Sequence, residues 1–197
     1  MIRAAVVCLF LSFVSPTVSS VQSGQPSEDA IAMAMKCGLG QTKCDDPVQT
    51  PGFGASMLGW DFQVVGPLGR VYLAAKDAKQ KMKKFGREDI TAEMLSPTVS
   101  ARARWVDKDM RHNVAVEHIV IIPKGKKDQA VQPLKIENWN YDAKNLVGGS
   151  ITRIGKEASF DIVALPAGDL EVVIIAGGSA PNYEIGVSLK DRKRLGF

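Results

Sequence analysis

Few residues in this chain of 197 could do chemistry: it holds two histidines and three cysteines beside 25 lysines and arginines and 21 carboxylates. His118 lies in VEHIVII, where simple alternation sets it on the strand face of Val116 and Val120. An imidazole there is expected to be a packed or rim group rather than a general base. His112 falls in DKDMRHN, a polar turn that would leave it solvated. Asp107, Asp109 and Asn113 are spaced loosely like oxygen ligands. However, WVDKDMRHN lacks the glycine and closing glutamate of a calcium loop, and Lys108 and Arg111 oppose a cation. No GxSxG elbow, HExxH helix or paired histidine ligands occur. An enzyme reading therefore reduces to a hydrolase using Glu117 and His118 without a linear motif. No metal or other cofactor is expected.

The cysteines point to structure. Cys8 sits in MIRAAVVCLFLSFVSPTVSS, where Arg3 precedes an apolar run from Ala4 to Val14, followed by Pro16 and small residues. That is the pattern of a cleaved secretory signal, and the run is shorter than the roughly 20 apolar residues that span a bilayer. Cleavage removes Cys8 and leaves Cys37 and Cys44 in an oxidising compartment, so a disulfide closing CGLGQTKC is expected. The six residues between them exclude a redox CxxC pair, and zinc would need two further ligands. Gly52, Gly54 and Gly59 suggest a phosphate loop, but no strand precedes them and no GxGxxG or GK[ST] spacing follows.

The plentiful chemistry is cationic. Between Arg70 and Arg87 seven cationic side chains stand against Asp77 alone. Lys124, Lys126 and Lys127 form a second cluster, and the end of the sequence, KDRKRLGF, a third. Lys76, Lys79, Lys81, Lys83 and Lys84, with Arg192, Lys193 and Arg194, are the candidate contacts for a polyanion such as an acidic glycan or anionic lipid. Nucleic acid is not the expected partner of an exported chain. The alternative is three separate solvated faces that keep the protein soluble.

Periodicity indicates what carries these groups. SEDAIAMAMKCGLG reads as a short helix with Ser27 as N-cap and Gly38 just past its end, after which the chain to Gly66 reads as loop. PLGRVYLAAKDAKQKMKKFG reads as a helix with Pro67 in its first turn and Gly86 beyond its last. Its apolar stripe is Leu68, Val71, Tyr72, Ala75, Ala78, Met82 and Phe85, and Arg70 faces away from it. REDITAEMLSP adds a short turn capped by Thr91.

From Pro97 the period changes to alternation. VSARARWV, NVAVEHIVIIP, AVQPLKIENW, a short run from Ser150 to Ile154, FDIVAL, LEVVIIAG and YEIGVSL read as about seven strands. Pro133 places the third at an edge or bulge. The fold class expected is mainly β, an antiparallel β-sandwich with an N-terminal helical and irregular extension.

Leu165 to Val172, LPAGDLEV, resembles the turn before the penultimate strand of immunoglobulin-like and fibronectin type III-like domains, and of transthyretin-like domains. Leu170 stands where those families usually place an aromatic residue. The resemblance covers at most the last hundred residues and implies a binding, adhesion or spacer module. Pro166 and Gly168 would reverse the chain so that Phe160, Ile162 and Ala164 share a core with Leu170, Val172 and Ile174. Val173 and Ile175 imply that their strand is central or covered by the basic helix.

The organisation expected is a signal over 1–20, a disulfide-containing irregular extension over 21–66, a basic helix and turn over 67–96, a sandwich over 97–190 and a basic tail over 191–197. The function expected is that of an exported, non-enzymatic interaction or structural module, with a protein or acidic cell-surface glycan as partner. Polyanion binding is the first alternative.

Overall fold

The computed structural model describes residues 25–49, 60–105, 114–144, 150–178 and 182–197. The signal segment, Asp107, Asp109, His112, Asn113, Gly52, Gly54 and Gly59 lie outside them. Helix α1 (Glu28–Gly38) leads through β1 (Val48–Gln49) and β2 (Trp60–Val65) to helix α2 (Pro67–Gln80). Strands β3 (Thr98–Trp105), β4 (Val116–Pro123), β5 (Lys135–Lys144), β6 (Ser150–Asp161), β7 (Leu170–Ala176) and β8 (Tyr183–Val187) follow, then helix α3 (Leu189–Leu195).

Every strand pair is antiparallel, and two sheets result, ordered β1-β2-β3-β6-β5 and β4-β7-β8. The mainly β sandwich expected from the alternation is what forms. Phe62, Val64, Val99, Ala101, Ala103, Ala158 and Phe160 from the larger sheet meet Ile119, Ile121, Leu170, Val172, Ile174, Ile185 and Val187 from the smaller, all in one buried cluster. Fully burying such a side chain stabilises the fold by about 1.5–3 kcal/mol.

The structure departs from the sequence reading at several elements. WDFQVV, read as loop, is strand β2, with Phe62 and Val64 inward and Asp61 and Gln63 partly exposed. The two runs around Ser150 and Phe160 form one strand of 12 residues, β6. The stretch read as a basic tail is helix α3, capped by the hydroxyl of Ser188 and anchored by Leu195, which is fully buried in the sandwich core. In β4 a bulge between Val116 and His118 shifts the alternation. Val116, Ile119 and Ile121 therefore share the core, and His118 does not point with Val116.

The corner at Pro166 is also different in kind. Strand β6 ends at Asp161, and the chain then crosses from the five-stranded to the three-stranded sheet, where β7 is the central strand. Phe160, Ile162 and Leu165 enter the core, whereas Ala164 is exposed. Gly168 takes φ +93°, a conformation open to glycine at little cost.

Helices α1 and α2 pack together over one end of the larger sheet's outer face, not over β7. Ile31, Ala34, Leu68, Val71 and Ile90 form one small core there, and Cys37, Val48, Val65 and Tyr72 another. Gly38 lies inside α1, not beyond it; a Cβ on it would fall 2.4 Å from the carbonyl oxygen of Tyr72. Only glycine permits that approach.

Candidate functional site

Helix α2 starts at Pro67 in the first turn, with Gly66 as a cap that offers no side chain. It stops at Gln80, earlier than the apolar spacing predicts. The N–H of Met82 donates to the carbonyl of Lys79 (3.0 Å) and that of Lys83 to the carbonyl of Ala78 (2.8 Å). This is the two-bond Schellman closure, which requires a left-handed residue at its pivot and usually has glycine there. Here the pivot is Met82, at φ 54° and 96% exposed. The stripe therefore ends at Ala78, and Met82 is not part of it.

The lysines gather around this stop. Gly38 meets Tyr72 and Ala75, and Gly40 meets Lys79, so α1 and α2 bring their carbonyl ends to one place, where cations are favoured. Lys79 reaches over Gly40 towards the end of α1. Cys37 and Cys44 are joined by a disulfide, with Cα atoms 6.0 Å apart, which closes the neighbouring loop. Lys76 stands 5.3 Å from the ring centre of Tyr72, whose hydroxyl donates to Asp46 (3.2 Å). Lys81 pairs with Asp77 at 2.8 Å, both well exposed. Lys79, Lys83 and Lys84 are exposed and form no ion pair among the described residues.

The third basic cluster is largely spent on the scaffold. Arg192 donates to the carbonyls of Pro166 (2.6 Å) and Gly168 (2.9 Å), and burial lowers its pKa. Arg194 pairs with Asp191 at 3.0 Å, both about a quarter exposed. Burial would raise the Asp191 pKa, but Ser188 hydrogen bonds, Arg194 and Lys190 outweigh it and hold the carboxyl below its ordinary value. Lys193 alone of the three candidates points outward. In the second cluster Lys127 pairs with Glu184 at 2.6 Å, which raises the lysine pKa, while Lys124 and Lys126 are exposed.

The basic end of α2 stands apart from the other two clusters. Helix α3 packs at the start of α2, where Gly196 lies against Leu68 and Gly66 against Leu195. Lys79 and the lysines after it stand at the other end of this 14-residue helix, about 18 Å or more along its axis. The second and third clusters are neighbours, since Asp169 accepts from the N–H of Leu189 through its side chain (2.9 Å) and from that of Lys124 through its carbonyl (3.0 Å).

Sequence reasoning missed three features. Arg70, expected outward, turns in and donates to the carbonyls of Met94 (2.9 Å), Ser96 (2.6 Å) and Thr98 (3.0 Å). Burial chiefly, with repulsion from Arg102, lowers its pKa against the attraction of Glu157 and Glu93. On the outer face of the larger sheet, Arg104 pairs with Asp61 and lies 4.3 Å from the ring centre of Trp139. That contact passes over Gly155, the cross-strand partner of both residues. Finally, a cleft of about 260 Å³ opens between α1, the disulfide and α3, with Met33, Ala34, Leu68 and Cys37 as apolar walls and Asp45 and Lys193 among its charged lining.

His118 Nε2 bonds the Gln132 amide oxygen (3.0 Å), and Glu117 lies exposed beside Gly177. Among the described residues no three of His, Cys, Asp and Glu stand together as a metal site, and no helix is long and apolar enough to cross a membrane. Searches of family models, curated proteins and solved structures find no match to this chain.

Proposed function

We propose that this is an exported, non-enzymatic binding module that holds an anionic partner, an acidic glycan or acidic protein surface among them, at the basic end of α2. The observation that carries this reading is the contrast between clusters. Lys79, Lys83 and Lys84 stand exposed without ion pairs among the described residues, whereas Arg192 and Arg194 are tied into the fold. Export is supported by the secretory pattern of the first 20 residues and by the disulfide.

The sandwich itself is proposed to be immunoglobulin-like. If β2 to β8 are lettered A to G, the sheets read A-B-E-D and C-F-G, the constant-type order, with β1 as an added edge strand beside A. The Pro166 corner then joins E to F, with Leu170 in place of the aromatic residue common there. Such domains chiefly present surfaces to partners, which supports a binding role without naming a ligand.

The test is retention on heparin resin. Combined Lys79→Glu, Lys83→Glu and Lys84→Glu should elute at clearly lower salt than the unaltered protein, and Lys190→Glu with Lys193→Glu should move elution far less. Equal losses from both sets, or retention indifferent to salt, would overturn the assignment to α2.

A further inference from the structure

We infer that the basic end of α2 is a membrane-contact tip, in which Met82 enters the headgroup layer of an anionic lipid surface while the surrounding lysines hold its phosphates. This rests on the anion-binding reading above and names the anion. The argument begins with a misplaced residue. Met82 is the one non-glycine residue with positive φ among the described residues, at a pivot that glycine would fill without strain. A strained backbone position of this kind persists where something other than local preference selects it.

Packing does not select methionine here, because the side chain is 96% exposed, the most of any large apolar residue described. Charge does supply a reason. Lys81 precedes it and Lys83 and Lys84 follow, with Lys79 on the last turn of the helix and Lys76 before that turn. Of the nearby carboxylates, Asp77 holds Lys81, Asp89 accepts from the N–H of Gly86 at 2.8 Å, and Glu88 lies against Gly86, so the cations outnumber them.

The tip is also held at both ends. Schellman bonds fix it to α2 on one side, and on the other Phe85 packs against the core formed by Ile31, Leu68 and Ile90. A soluble polyanion would use the lysines and gain nothing from an apolar side chain among them. A lipid surface presents an anionic layer over an apolar one, which matches one exposed methionine flanked in the chain by Lys81, Lys83 and Lys84.

The experiment compares vesicles of phosphatidylglycerol mixed with phosphatidylcholine, vesicles of phosphatidylcholine alone, and heparin resin as the lipid-free control. Every variant is the chain without residues 1–20, as the expected signal cleavage leaves it, so the apolar run from Ala4 to Val14 cannot drive vesicle binding. Met82→Asn and Met82→Gly both suit a left-handed position, leave the charge unaltered and should fold. Each should lower partition onto the anionic vesicles about tenfold, with heparin retention unchanged. Lys83→Glu with Lys84→Glu should weaken both, by about fivefold or more per lysine on vesicles. If the Met82 variants bind anionic vesicles as the unaltered protein does while the lysine variants lose heparin, the lipid inference fails and the anion-binding reading stands. If neither heparin nor vesicles respond to the lysines, both fail. Equal partition onto the neutral vesicles would also overturn the lipid inference.

Discussion

Replacing Met82 with glycine should make the protein more stable. A left-handed conformation costs an L-residue with a Cβ roughly 1–2 kcal/mol, and Met82 holds it at φ 54° with its side chain 96% exposed, so almost no packing is lost on truncation. Glycine relieves that strain but adds unfolded-chain freedom worth about 0.5–1 kcal/mol. The net gain is about 0–1.5 kcal/mol, about 0.75 at mid-range. For a chain of this size the mid-range value raises the thermal midpoint by about 1.5–3 °C. Urea unfolding followed by circular dichroism gives the free energy directly, with an unchanged denaturant slope as the check that the surface exposed on unfolding is the same. Met82→Ala is the control, since it removes the same side chain and keeps the strained Cβ; it should stay within about 0.5 kcal/mol of the parent. A glycine variant less stable than the parent, or an alanine variant that gains as much, would refute the assignment of strain to the backbone.

Gly38→Ala should destabilise by about 2–4 kcal/mol in the same assay, although alanine is the better helix former, because its Cβ would fall 2.4 Å from the Tyr72 carbonyl oxygen. Arg70→Met should lose about 2–4 kcal/mol by stranding the carbonyls of Met94, Ser96 and Thr98, and Arg70→Lys should restore only part of it, since one ammonium lacks the fork that reaches all three. The Asp191 carboxyl titrates below its ordinary value, so its contribution is full above the unfolded pKa of about 4 and fades as pH falls through the native one. Asp191→Asn should be less stable at neutral pH and lack that acid-side decline in an unfolding series. Reducing the Cys37–Cys44 bridge should cost about 2 kcal/mol, measured by unfolding with and without reductant.

Alternation carried most of the sandwich. Val99, Ala101 and Ala103 in β3, and Val172 and Ile174 in β7, repeat every second residue and bury as that period requires. What alternation cannot show is a shift in its own phase, so the bulge that separates His118 from Val116 was invisible. Strand β6 looked broken because Gly155 interrupts it, yet that glycine is where Arg104 and Trp139 meet, and its missing side chain is what allows the strand to continue. Strand β2 was masked by the glycines and prolines around it. At the basic end of α2 the lysines were legible as a cluster, but their separation from Arg192 and Arg194 depends on which ends of helices meet. Arg70 shows the same limit, since three carbonyls some 25 residues away decide which way it turns. The Met82 pivot had no signal in the helical period, which ran straight through it.

The corner between β6 and β7 has a dynamic consequence. Arg192 fastens the carbonyls on either side of Ala167, and Asp169 fastens the first residue of α3, whose Leu195 is buried between the sheets. The crossing from one sheet to the other is thus bolted from outside, and the sheets cannot slide past each other without withdrawing that helix. Amide hydrogens of β3, β6 and β7 should then exchange together and only in the rarest openings. Faster fluctuation is left to the α1–α2 layer, which joins the sandwich through the small core of Cys37, Val48, Val65 and Tyr72 and through the Arg70 hydrogen bonds. The surface proposed to meet a partner is therefore also the part able to adjust to one.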